Sequence, residues 1–226
     1  MKRLILEQST RSGSLAVMEE GRSLLSRAWT EDRFHTQQMF GVLAEVLAVE
    51  VARLETLDSF GVGLGPGSYS GMRMALTAVR GLALPSEREV YGVSSAEALA
   101  WDEFQRTSAD RVMVLGDARR ERCWRVGYER GNGLPVRCTE WELVPQVDCF
   151  SGVPPGARWV SPDWERLAPQ IGAAASRAAV DWADAVRIPT AEAVGGLIEA
   201  RQRVGVASDP LEPLYLHPAV TVAPRY

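Results

Sequence analysis

The chain has 226 residues, 46% of them apolar, and a formal charge of −4, enough for one large domain or two small ones, and no apolar run approaches the roughly 20 residues of a membrane span. Its charge carries no basic stripe, which argues against a protein that grips a nucleic-acid backbone by itself. Three cysteines without a CxxC spacing, only two histidines (His35 and His217) and a start whose apolar core is too short for a signal peptide argue against a disulfide framework, a zinc site and export, so a cytoplasmic protein is expected.

RLILEQS at 3–9 reads as a buried strand, and SLAVMEEG ends on the turn signal Glu20-Gly21 before SLLSRAW, which predicts a three-stranded meander. Met39, Val42, Leu43, Val46 and Val49 recur at helical spacing and predict a helix over 35–53. Phe40, Leu47 and Val51 fall outside that stripe, and so wide an apolar arc calls for cover beyond one core. A strand LDSFGVGLG (57–65), a helix over 71–84, a strand EVYGVS and a helix SAEALAWDEFQR follow, so a meander runs into βαβα alternation: a mixed sheet with helices on its faces. RVMVLGDA, ERCWRVGYER and VRCTEWELV then predict a second meander turning at Gly131-Asn132-Gly133, with ARRERCWR as a strand with one solvated face. A Pro- and Gly-rich stretch, an alanine-rich helix near 163–178 and a helix near 190–204 lead to a tail with four prolines, an extended strap. The reading divides the chain into 1–108, 109–204 and a tail, 205–226.

GVGLGPGSYSGMRMALTAVRGLA at 61–83 is the most distinctive stretch. It lacks the lysine of a phosphate-binding P-loop, the third glycine of a dinucleotide fingerprint, where Ser70 stands, and the central serine of a nucleophile elbow, where Tyr69 stands. Gly65, Pro66 and Gly67 predict a sharp turn, with Ser70 capping a helix that begins at Gly71. Free amides at such a helix start could dock an anion, while Ala75, Ala78, Val79 and Leu82 make a smooth face for close helix packing, within the chain's own core or with a partner.

GPGSYSGMRMALTAVRGLA, with HTQQMFGVLAEVLA, YGVSSAEALA, LGDARRERCWRVGY and EPLYLHP in the same order, resembles the TsaB (YeaZ-like) family from end to end. The resemblance implies an α/β, actin-like and Hsp70-like (ASKHA) fold of two subdomains. It also implies a non-catalytic partner that activates the TsaD-like transferase in threonylcarbamoyladenosine modification of tRNA. A TsaE-like ATPase would join that pair, the isolated chain would homodimerise, and tRNA would be met only indirectly. The chain would need no cofactor of its own, any ATP or ADP and magnesium belonging to the complex. The implied interface is His35, Met39, Val42, Leu43 and Val46 with Met72, Ala75, Ala78, Val79 and Leu82; Glu7, Gly65, Gly67, Ser68, Ser70, Gly71 and Asp117 are the candidate nucleotide or anion loop. Glu7 stands where the family has aspartate, which weakens the rival reading of an ATPase or kinase, and a peptidase finds no nucleophile, base and orienter together.

Overall fold

The computed structural model describes residues 1–31, 38–153, 155–183 and 186–216. β1 (Lys2–Glu7), β2 (Ser12–Glu19) and β3 (Arg22–Thr30) form the first meander, turning at Gly21, whose φ is +77°. After α1 (Gln38–Leu47) come β4 (Ser59–Gly63), α2 (Tyr69–Ala83), β5 (Glu89–Val93) and α3 (Ser95–Arg106). Strands β4 and β5 add in parallel beside β1, giving a five-stranded sheet of order β3-β2-β1-β4-β5.

The second half repeats the plan. β6 (Arg111–Arg119) and β7 (Arg122–Arg130) pair antiparallel, and the third meander strand is split into β8 (Pro135–Arg137) and β9 (Glu142–Pro145), both on β7. β10 (Arg158–Val160), α4 (Trp164–Arg177), β11 (Asp181–Trp182) and α5 (Ala191–Arg203) complete the order, with β10 and β11 extending the sheet in parallel. Two mixed sheets, each a meander continued by parallel strands and flanked by helices, are the actin-like arrangement.

Side-chain alternation along the strands sets the layers. Leu4, Leu6, Leu15 and Val17 face a core closed by Met39 and Leu43 of α1 and Ala75 and Val79 of α2. Ile5, Ala16 and Met18 face the opposite way, onto Val194, Leu197 and Ile198 of α5. Val112, Val114 and Val126 pack on Leu99 and Phe104 of α3, and Met113 and Leu115 pack on Leu167 and Ile171 of α4. The molecule therefore stacks α1 with α2, the first sheet, α5 with α3, the second sheet, and α4. Helix α5, which the linear division puts with 109–204, covers the first sheet, so the two halves are interleaved rather than consecutive.

Two sequence expectations change here. The helix expected over 35–53 is described from Gln38 to Leu47 and gives way to single 3-10 turns at Glu50–Ala52 and Leu54–Thr56, because Val49 is extended (φ −82°, ψ 136°), as β-branched residues prefer. The strand through ARRERCWR has no solvated face along its middle: Arg125 is buried, its Nε donating to Glu142 Oε2 at 2.5 Å and its Nη1 to the carbonyls of Cys149 and Ser151 at 2.9 and 2.8 Å. Strand β9 and the loop after it cover that strand and supply the acceptors for the buried guanidinium's Nε and Nη1.

Candidate functional site

The glycine loop links β4 to α2 and is tied down by its neighbours. A cis peptide joins Gly65 to Pro66. Gly65 N donates to Ser95 Oγ (2.9 Å), and the Gly65 carbonyl accepts from Ser95 N (2.8 Å) and Ser94 Oγ (3.1 Å), fastening the loop to the start of α3. Ser68 N donates to the Ser9 carbonyl at 2.6 Å. A side chain on Gly67 would place its Cβ 2.0 Å from that same carbonyl oxygen, so the residue is glycine to let two backbones pass.

Helix α2 begins at Tyr69, and its cap is Ser68, whose Oγ accepts from Gly71 N at 3.2 Å. Ser70, expected as the cap, lies exposed inside the first turn, because the helix starts two residues before Gly71. The amides of Gly65, Ser68 and Gly71 are thus all engaged within the chain.

Glu7 does not face the cleft between the sheets. Its side chain is fully buried in the space that Gly63 leaves beside it, with Oε1 accepting from Ser9 N (2.6 Å) and Oε2 from Ser95 Oγ (2.7 Å). Burial pushes its carboxyl above the ordinary range, against the pull of those two bonds. Across the cleft, the Asp117 carboxylate is ion-paired with Arg166 (Oδ2 to Nη1, 2.8 Å) and Arg119 (3.3 Å). Asp163 accepts from Asp117 N (3.0 Å) and pairs with Arg166 Nη2 (3.0 Å); burial pushes its carboxyl up as well. Both acids of the second wall are committed to Arg166, and Glu7 is turned away from them. Among the described residues, no group of three or more His, Cys, Asp or Glu side chains is arranged to hold a metal ion. The cleft itself is a cavity of about 430 Å³.

The helices α1 and α2 present the other candidate surface. Met39, Leu43, Val46, Met72, Ala75 and Val79, expected at an interface, are buried beneath their own helices, while Val42, Ala78 and Leu82 are half-buried along the edge of the same core. Leu47 and Val51 also pack on that core, which accounts for most of the wide apolar arc. His35 lies outside the described residues. Facing outward are Phe40 and Leu84, 47% and 77% exposed, with Gly41, Ala44, Thr77 and Gly81 between charged positions. A Cβ added at Gly41 or Gly81 would meet no atom within 4 Å, so this is a smooth, open surface. Tyr69 stands at its edge, stacked by Arg73 and by Tyr215 from the tail (ring centroids 5.1 Å apart).

Sequence reasoning missed Ser95, Asp163, Arg166 and Tyr215. Ser95 and Tyr215 lie in stretches that carry the resemblance, but their partners Glu7 and Tyr69 are far off in the chain, as is Asp117 from Asp163 and Arg166, so no local pattern assigns any of them its role.

Known proteins share both the fold and the sequence pattern. A solved structure described as an uncharacterized protein with similarity to peptidase YEAZ from Pseudomonas aeruginosa matches 96% of this chain and 99% of its own, at a TM-score of 0.75 and 26% identity. A second, YeaZ from Pseudomonas aeruginosa, matches 95% and 99% with a TM-score of 0.74 and 24% identity. By sequence, the tRNA threonylcarbamoyladenosine biosynthesis protein TsaB of Escherichia coli K12 is 28% identical over 149 residues, 65% of this chain and 64% of that protein. The chain is similar in sequence to proteins named TsaB. The protein of the same name from Haemophilus influenzae is 30% identical over 116 residues, 51% of this chain and 49% of its own. The chain thus spans just under two thirds and about half of the length of the curated relatives it matches. Residues 30–134 also match the family model described as TsaD, tRNA N6-adenosine threonylcarbamoyltransferase. That stretch contains both outward-facing helices and the whole glycine loop.

Proposed function

We propose that this chain is a TsaB-like protein, a non-catalytic partner that binds and activates a TsaD-like threonylcarbamoyl transferase in the modification of tRNA. The names of its relatives place them in threonylcarbamoyladenosine biosynthesis, and the observation that carries a partner role is the surface of α1 and α2. Once the core beneath them is filled, these helices still expose Phe40 and Leu84 beside the small residues Gly41, Ala44, Thr77 and Gly81. Small residues at the centre with large apolar ones around them suit close helix packing, and two helices can bury about 800 Å² on each side. The interface of this proposal is the outward face, displaced by a fraction of a turn from the buried residues of the sequence reading. The same face would serve a second copy of the chain in isolation.

The commitments of Glu7 and Asp117 support a role without chemistry of its own. A carboxylate held inward by two donors, and another neutralised by two arginines, are poorly placed to organise magnesium and phosphate. Nucleotide, magnesium and the tRNA contacts then fall to the transferase and a TsaE-like ATPase, in the cytoplasm. In a reconstitution with purified transferase, ATPase, a threonylcarbamoyl donor and tRNA, modification should depend on this chain, and the chain alone should yield none. Modified tRNA from the chain alone, or full activity without it, contradicts the proposal.

A further inference from the structure

Residues 208–216 leave α5 and run back over the molecule between its two halves. Gly92 N donates to Ser208 Oγ (2.7 Å), and Asp209 N donates to the Gly92 carbonyl (3.0 Å), at the free side of β5. Asp209 then makes a two-sided latch. Its Oδ2 accepts from Ser94 N (3.0 Å) and its Oδ1 from Arg201 Nη1 (2.8 Å), while Arg201 Nη2 is held at 2.5 Å by Glu97 of α3. Farther on, Leu211 packs on the core under α1 and α2, Leu214 N donates to the Leu64 carbonyl (2.8 Å), and Leu216 packs on the core of the second sheet. One short segment thus touches both cores.

It also divides the space between them. The cleft of about 430 Å³ lies on one side, walled by Gly67, Trp124 and Arg166; on the other is a cavity of about 570 Å³ walled by Glu97, Tyr128 and Trp141. Leu214 and Tyr215 line both. The partition is lightly attached: along 209–216, the main-chain bonds to the body are those of the Asp209 and Leu214 amides, and Ser208, Pro210, Glu212 and Tyr215 are exposed. Pro210 and Pro213 keep the segment extended when it is released, which lowers the entropy lost on re-docking.

We propose that residues 208–216 are a displaceable strap, latched at Asp209, whose release joins the two cavities and opens the space between the sheets to a ligand. Its opening is a local event, separable from unfolding of the strands beneath. The cleft sets Trp124 and Tyr69 beside Arg11, with Arg119 and Arg166 already paired to Asp117 and Asp163, so an aromatic molecule that stacks on those rings and carries at most one negative charge, toward Arg11, is the chemistry it would admit.

The test is hydrogen exchange on the full chain, with the dye 1-anilinonaphthalene-8-sulfonate as the probe. In the parent, the amides of 209–216 should exchange before those of β1 and β4. In Asp209→Ala, exchange of the strap should quicken at least tenfold with β1 and β4 unchanged, and dye fluorescence should rise several-fold. Asp209→Asn, which keeps the acceptor for Ser94 but loses the charge facing Arg201, should fall between the two and covers the case in which the alanine variant fails to fold. The proposal fails if the strap of the parent exchanges only together with β1 and β4, or if both variants leave strap exchange and dye binding as in the parent.

Discussion

Glu7 shows how far a single residue can be read from sequence. That it departs from the family aspartate is visible in RLILEQS; that it points inward is not, because its partner Ser95 lies 88 positions away. Its raised pKa gives a signed prediction. A carboxyl pushed up by burial is most favourable while protonated, so its contribution is present below the ordinary glutamate range and is lost as pH rises through the folded-state value. Glu7→Gln should therefore gain on the parent as pH is raised from about 4, and urea unfolding across pH 4 to 8 reads the difference; a stability of variant minus parent that stays constant or falls with pH would show that the two hydrogen bonds outweigh burial. Gly67 was legible as a turn residue, and the structure supplies the obstacle, the Ser9 carbonyl. Gly67→Val should lower stability by about 2–3 kcal/mol, seen as a drop in the thermal midpoint, with α2 misaligned at its start. The cap illustrates the finer limit: GSYS offers two serines, and only the backbone path decides that Ser68 takes the role.

At the scale of elements, periodicity located strands and helices wherever a segment was long enough to show a period. The order of three strands, helix, strand, helix, strand, helix in the first half agrees with the structure. β10 and β11, three and two residues long, escaped because so few positions carry no alternation, and β10 sits behind a run of Pro and Gly. The helix near 35–53 was overlong because its apolar spacing continues through Val49 and Val51 while the backbone turns away. Face was harder to read than extent. Both α1 and α2 carry apolar residues, and the sequence alone did not separate the side that fills the core from the side that meets solvent. Gly81 now marks the outer side of α2, since nothing lies within 4 Å of its missing Cβ. Gly81→Ala should accordingly stabilise the isolated chain by about 0.5–1 kcal/mol, measurable by urea unfolding, whereas a loss would mean that this position is crowded.

The whole molecule is less separable than its sequence. Two repeats of a meander suggest two consecutive bodies, yet α5 returns to the first sheet, α3 stands between the sheets, and the 208–216 strap reaches both cores. Each of these closures joins residues far apart in the chain, beyond the reach of local pattern. What results is a body with a smooth helical surface on one outer layer and, in its cleft, carboxylates paired to arginine. If the outer face of α1 and α2 seats the transferase, as proposed, Gly81→Arg puts a long charged side chain at the middle of a packed interface, on a residue whose missing Cβ meets no atom within 4 Å. Size-exclusion chromatography of purified transferase mixed with the parent should give one co-eluting complex, and the mixture with Gly81→Arg should give two separate species, with circular dichroism showing the variant folded. A folded Gly81→Arg chain that still co-elutes with the transferase would contradict the account.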